Sequence, residues 1–145
     1  TGWRLGWLVV PPALSPDLAK LIEYNTSCVP VFVQRAGVVA VKEGEPAIAH
    51  TRERFRNARD FLATSLNEIP GVETALPAGA MYLFFGIKGM TDSLEFCKRL
   101  LRETALGLAP GSAFGPEGEG YVRWCFAASE DKLADGVGRL RGFLG

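Results

Sequence analysis

Histidine and cysteine are scarce in this chain of 145 residues: one histidine, His50, and three scattered cysteines, Cys28, Cys97 and Cys125. One imidazole and three thiols without a CxxC pair cannot compose a conventional zinc site, so no metal is expected. His50 has no acidic or thiol neighbour close in sequence and reads as a surface or packing residue. An odd, dispersed set of thiols argues against a secreted disulfide scaffold and for a reducing, cytoplasmic compartment. No apolar run approaches the roughly 18 residues a membrane span requires, and no signal peptide opens the chain. Net charge is lacking as well, with 16 Lys+Arg set against 16 Asp+Glu. A nucleic-acid-binding domain usually carries a marked basic excess. The most basic stretch, Arg52 to Arg59, is broken by Glu53 and Phe55 and reads as the solvated face of a helix.

Leu, Ile, Val and Phe together make 41 of the 145 residues, while Gly 17 and Pro 9 fall short of a low-complexity composition. A folded, core-bearing chain follows. Residues 3 to 10 are apolar and aromatic apart from Arg4 and Gly6, and Pro11-Pro12 stop them, which predicts a strand. The stretch stands at the very start, on Thr1 rather than Met, and reads as a finished strand whose partners lie upstream. Ser15-Pro16 predicts a helix start, the hydroxyl as cap and the proline in the first turn. That helix fades near Asn25. Phe32 to Val41 fits a buried helix, although its valines also permit a strand. From Pro46, apolar residues Ile48, Phe55, Ala58, Leu62, Leu66 and Ile69 recur at helical spacing. They predict an amphipathic helix of some six turns, ended by Pro70-Gly71.

Beyond that break the texture changes. Met81 to Ile87 is a strand candidate, Asp92 with Glu95 resembles a capping box, and Leu94, Cys97, Leu100 and Leu101 stripe the following helix. Leu106 to Ala109 reads as a short strand, Pro110 to Gly120 as a glycine-rich loop, and Tyr121 to Ala127 as another strand. Ser129, ahead of Glu130 and Asp131, is expected to cap a last helix carrying Leu133, Val137, Leu140 and Phe143. The order strand, helix, strand, strand, helix makes a small α+β sandwich. There is no internal repeat.

Two arginines raise the same question. Alternation along Tyr121-Val122-Arg123-Trp124-Cys125-Phe126 sends Val122, Trp124 and Phe126 into a core and leaves Arg123 among half-buried neighbours on the other face. A guanidinium there needs an anion, because an unpaired buried charge is expensive. The partner is either an Asp or Glu of this chain or a ligand's carboxylate, which the planar fork matches in two parallel hydrogen bonds. Arg4, between Trp3 and Leu5, is either an edge residue pointing to solvent or a phosphate clamp. The loop Pro110-Gly111-Ser112-Ala113-Phe114-Gly115 lacks the lysine and the following helix of a phosphate-binding P-loop. Its glycines instead let the chain turn sharply and pass close to something.

Several segments carry a resemblance in collinear order: Thr1-Gly2-Trp3-Arg4-Leu5-Gly6-Trp7, Val31-Phe32-Val33-Gln34-Arg35-Ala36, Pro77-Ala78-Gly79-Ala80-Met81-Tyr82, and Pro110-Gly111-Ser112-Ala113-Phe114-Gly115. The last is followed by Gly120-Tyr121-Val122-Arg123-Trp124-Cys125-Phe126-Ala127. Together the chain resembles the C-terminal part of a fold-type I, pyridoxal-phosphate-dependent aminotransferase of the aspartate aminotransferase class. The resemblance implies an α/β architecture: the end of the large domain (1–27), an interdomain helical segment (28–70), and a small domain (71–145) with a mostly antiparallel sheet flanked by helices. It implies that Arg4 binds the phosphate of pyridoxal 5'-phosphate and that Arg123 takes the α-carboxylate of the substrate. It also implies that Gly79 and Ala80 line the substrate side, with Ala80 where many relatives carry a second glycine.

The same resemblance places the Schiff-base lysine a few residues before Thr1. Lys20 and Lys42 lie on the wrong side of the Arg4 motif, so no catalytic residue is expected in this chain and the fragment alone should be inactive. The intact protein would be a homodimeric transferase of amino-acid metabolism, moving an amino group between an amino acid and a 2-oxo acid. Two alternatives stay open: another fold-type I enzyme, a lyase or synthase, since fold does not fix reaction, and a non-catalytic small-domain interaction module.

Overall fold

The computed structural model describes residues 2–145; Thr1, which opens the first of the motifs above, lies outside the described residues. The chain divides into two compact units between Ala49 and His50.

In the first unit, a single 3-10 turn over Pro12–Leu14 leads into α1, Ser15–Asn25. Pro16 sits in the first turn of α1 as its fixed φ favours. Ser15, however, is already helical rather than capping, and the preceding Leu14 offers no side-chain cap. Helix α2 runs over Val31–Glu43, settling the valine-rich stretch as helix. It is not the buried helix expected, because Val33 is its only buried residue. The strand predicted over 3–10 does not form: residues 4–10 have no regular structure, and Trp3, Trp7, Leu8 and Val9 are exposed. A strand exists only when a neighbour takes its N–H and C=O groups, and no described segment pairs with this one. Trp3 instead rests edge-on against Phe32 of α2, ring centres 6.1 Å apart.

Helix α3, Glu45–Asn67, is the long amphipathic helix read from the spacing. Leu62, Ala63 and Leu66 at its C-terminal end are buried in the second unit's core. That unit is a four-stranded antiparallel sheet in the order β1-β2-β4-β3, with β1 Val72–Thr74, β2 Tyr82–Ile87, β3 Ala109–Pro110 and β4 Tyr121–Cys125. Strand β1 was not anticipated, and β3 is shorter than the Leu106 to Ala109 reading. Helix α4, Ser93–Thr104, starts as expected, the Asp92 carboxylate accepting from the Glu95 N–H at 2.9 Å. The reciprocal half of a capping box is missing because the Glu95 carboxylate goes to Arg102 at 2.7 Å. Helix α5, Glu130–Leu144, begins after Ser129, whose hydroxyl makes no capping bond, with Glu130 and Asp131 facing the helix dipole.

One face of the sheet is the core. Leu83, Phe85 and Val122 are fully buried, and Leu100 of α4 with Leu133 and Leu140 of α5 close over them. Because side chains alternate along a strand, the same register turns Tyr82, Phe84, Tyr121 and Arg123 to the opposite face. Everything relevant to Arg123 happens on that second face.

Candidate functional site

Arg123 lies in the middle of β4, opposite Phe84 of β2 on one side and Ala109 of β3 on the other. Its guanidinium carbon is 4.3 Å from the centre of the Tyr82 ring and 4.1 Å from that of Phe114. Two aromatic rings thus bracket one cation, and the attraction of a cation for the face of a ring orients the guanidinium. Phe114 is itself backed edge-on by Phe84 at 6.2 Å, and Phe84 stacks on Tyr121 at 5.2 Å with the rings within 3° of parallel. Among the described residues no Asp or Glu lies within salt-bridge distance of Arg123, and no hydrogen bond uses its N–H groups. The rings pack against the guanidinium carbon, and its N–H donors have no partner among the described residues. A planar carboxylate is the ligand such an edge matches.

Phe114 reaches Arg123 because the loop between β3 and β4 is folded back and fastened. Ser93, fully buried at the start of α4, bonds the Ser112 hydroxyl at 2.9 Å, and its oxygen accepts from the Ser112 N–H at 3.2 Å. At the loop's other end the Glu119 carboxylate accepts from the N–H groups of Ser93 at 2.6 Å and Gly120 at 3.0 Å. The Gly120 bond, followed by the Ser93 bond, holds the Glu119 carboxyl below its ordinary value. Gly111 and Gly118 face each other across the loop's neck, and a Cβ on either would collide with the other's carbonyl. This is the close approach the glycine-rich sequence implied.

Gly79 and Ala80 sit in an exposed turn just ahead of β2. Ala80 has φ 62°, the left-handed region that glycine occupies without penalty. With Arg52, Arg56 and Arg59 of α3 the two residues border a cleft of about 280 Å³ floored by Phe126. Arg59 donates to the Pro77 carbonyl at 3.1 Å and pairs with Asp60 at 2.7 Å.

Arg4 belongs to the first unit. It is exposed, also left-handed at φ 53°, and free of any acidic partner among the described residues. It borders a cleft of about 740 Å³ shared with the hydroxyl-bearing Ser15, Thr26 and Ser27. A permanently charged fork beside hydroxyls and open backbone fits a phosphate group. Lys20 is exposed and pairs with Asp17 at 3.6 Å; Lys42 is likewise exposed. His50 is exposed, as expected. Cys28 and Cys125 are exposed thiols, while burial pushes the Cys97 thiol up to about 11. No group of His, Cys, Asp or Glu among the described residues is arranged to hold a metal, and no described helix is long and apolar enough to cross a membrane.

The aromatic bracket, the serine–glutamate fastening and Arg59 were not singled out from the sequence. Tyr82 and Phe84 could have been found by carrying the β4 alternation across to β2. Phe114 could not, because its place depends on how the loop closes.

The family model for aminotransferase class I and II matches residues 1–140. Among curated proteins, the chain is 36% identical to the aspartate aminotransferase of Pyrococcus horikoshii over 143 residues, 97% of this chain and 37% of that protein. It is 34% identical to the LL-diaminopimelate aminotransferase of Maridesulfovibrio salexigens over 140 residues, 97% of this chain and 36% of the relative. The crystal structure of the aromatic aminotransferase from Pyrococcus horikoshii superposes with a TM-score of 0.90 at 35% identity, covering 99% of this chain and 39% of that one. The chain thus spans somewhat over a third of the length of the relatives it matches.

Proposed function

The chain belongs to the class I and II aminotransferases, a pyridoxal-phosphate-dependent family, and from that premise we propose that it forms the C-terminal part of an enzyme that moves an amino group between an α-amino acid and a 2-oxo acid. In this reading residues 1–27 close the cofactor-binding domain, 28–70 form the connecting helical segment and 71–145 the small domain. The lysine that anchors the cofactor lies upstream, so the chain by itself has no activity. The intact enzyme is a cytoplasmic homodimer.

The residues present divide the labour. Arg4 holds the cofactor phosphate with a charge that no working pH removes. When bound, pyridoxal phosphate supplies the electron sink that makes the substrate Cα–H acidic. Arg123 takes the α-carboxylate of the amino acid, or of the 2-oxo acid that follows it, in two parallel hydrogen bonds. Because Tyr82 and Phe114 already pack against it, less ordering remains to be done when the carboxylate arrives. Gly79 and Ala80 line the substrate side, where the absence of long side chains leaves room for the amino acid.

The observation that carries this reading is the state of Arg123: two rings within 4.3 Å of its guanidinium carbon, and no acid among the described residues paired with it. The test is Arg123→Ala in the enzyme carrying this chain and its upstream part. Truncating one partner of a desolvated charge pair costs about 2–5 kcal/mol, so kcat/KM for amino acids falls by about 30-fold to several thousandfold. Most of the loss appears in KM for the amino acid and the 2-oxo acid alike. An unchanged KM for both overturns the assignment, and turnover of an amino acid without any 2-oxo acid acceptor would make the enzyme a lyase or synthase instead.

A further inference from the structure

We infer that Arg59 is a positioning residue that holds the Gly79–Ala80 turn in place, an inference that rests on the aminotransferase reading above. Residues 75–81 form no helix or strand, and Ala78, Gly79 and Ala80 are exposed. Burial therefore does little to fix them. The turn nevertheless contains Ala80 in a left-handed conformation, which disfavours any residue with a Cβ. Something outside the turn must hold it there.

Its two ends are pinned. The Asn67 side chain accepts from the Thr74 N–H at 3.1 Å, and the Met81 carbonyl accepts from the Phe126 N–H at 2.9 Å. Between them, the one hydrogen bond reaching residues 76–80 from elsewhere among the described residues is the donation from Arg59 Nη1 to the Pro77 carbonyl at 3.1 Å.

Arg59 is built for that task. Its Nε and Nη2 both reach Asp60 Oδ1, at 2.8 and 2.7 Å, which fixes the plane of the fork and aims Nη1 at Pro77. Its side chain is 22% exposed against 49% for Asp60, so the turn shelters the cation while the acid remains in solvent. The helix beneath is anchored by Leu62 and Leu66, both fully buried. Lysine, a single point charge, cannot make both contacts with one geometry. Two residues beyond Ala80 comes Tyr82, whose ring seats Arg123. A turn released at Pro77 therefore loosens both the substrate-side wall and the floor under the carboxylate-binding fork.

The experiment compares Arg59→Lys, Arg59→Ala and Asp60→Asn in the pyridoxal-phosphate-loaded enzyme by hydrogen–deuterium exchange and steady-state kinetics. Losing the tether speeds exchange of the Phe126 amide, whose bond to the Met81 carbonyl pins the end of the turn, by about tenfold, as expected for a locally opened segment. Amides of α4 and α5 keep their native rates. KM for the amino acid rises by about tenfold in Arg59→Lys, and Ala80→Gly in that background recovers part of it, since a glycine turn no longer resists its own conformation. Native exchange of the Phe126 amide in Arg59→Ala overturns the inference, as does an unchanged KM in Arg59→Lys. Should Arg59→Ala fail to fold, Asp60→Asn, which leaves the guanidinium present but unaimed, gives the same two readouts. A native enzyme with no transamination activity sinks the functional reading instead, while the exchange measurement still decides the tether.

Discussion

Phe114→Leu isolates what the aromatic bracket contributes. Phe114 is 49% exposed and its ring meets two partners, the Arg123 guanidinium at 4.1 Å and the Phe84 edge at 6.2 Å. A cation–ring contact at an exposed site is worth about 0.5–1 kcal/mol, and an aromatic pair about 0.5–1.5 kcal/mol beyond its buried area. Leucine keeps most of the apolar contact but loses both, so the variant is destabilised by about 1–2.5 kcal/mol. The functional effect is separate and smaller. With one face uncovered the guanidinium regains some rotamer freedom, and fixing it again on binding costs about 0.5–1 kcal/mol. KM for the amino acid then rises two- to fivefold, by about 1.4 kcal/mol per decade, with kcat nearly unchanged. The assay is steady-state kinetics of the intact enzyme with saturating 2-oxo acid, alongside urea unfolding. A drop in kcat at constant KM would refute the reasoning, because in the proposed role of Arg123 the rings steady a binding group. So would an unchanged KM in a variant that has lost the expected stability.

Two further substitutions probe the loops. Ala80→Gly removes a left-handed alanine and raises the urea midpoint, by about 1 kcal/mol of stability less the backbone freedom glycine regains when unfolded; a lower midpoint would mean that the turn is not held as described. Glu119→Gln removes a carboxylate whose folded value is depressed by the Gly120 and Ser93 amides. Its stabilisation is fully present above the ordinary glutamate range and disappears as pH falls through the lower folded value. The variant is therefore less stable than the native protein near neutrality and converges with it on acidification, a trend that thermal unfolding across pH 3–7 reads directly. A gap that persists undiminished at the acid end would remove the carboxylate from the argument.

Regular elements were legible where one chemical pattern had one physical meaning. Helix α3 shows apolar residues at helical spacing from Ile48 on, which gave its existence and start, while its end at Asn67 falls short of Ile69 and the Pro70-Gly71 break expected to stop it. The alternation around Arg123 predicted a buried Val122, as found, but the neighbours expected to be half-buried beside Arg123, Tyr121 and Cys125, are exposed because they stand on the uncovered face of the sheet. Reading failed where an element depends on a partner distant in sequence. Residues 3–10 have the composition of a strand, but pairing rather than composition makes a strand, and none of the described segments pairs with them. Val72–Thr74 is too short to show alternation, yet its pairing with Phe85 to Ile87 makes it part of the sheet. The apolar run Phe32 to Val41 suggested a buried helix, but the helix that forms buries Val33 alone among its residues. At the site, Arg123 stood out from the β4 alternation, while its ring contacts depend on a β2–β4 register and a loop closure that no local pattern encodes.

The neck formed by Gly111 and Gly118 extends the site beyond its contacts. Each glycine leaves exactly the room the other's carbonyl fills, and the segment they pinch carries Phe114. Bulk added at either position would be felt through an aromatic ring by a guanidinium several residues away. The setting of the ring beside Arg123 thus depends on two positions that can carry no more than a hydrogen atom.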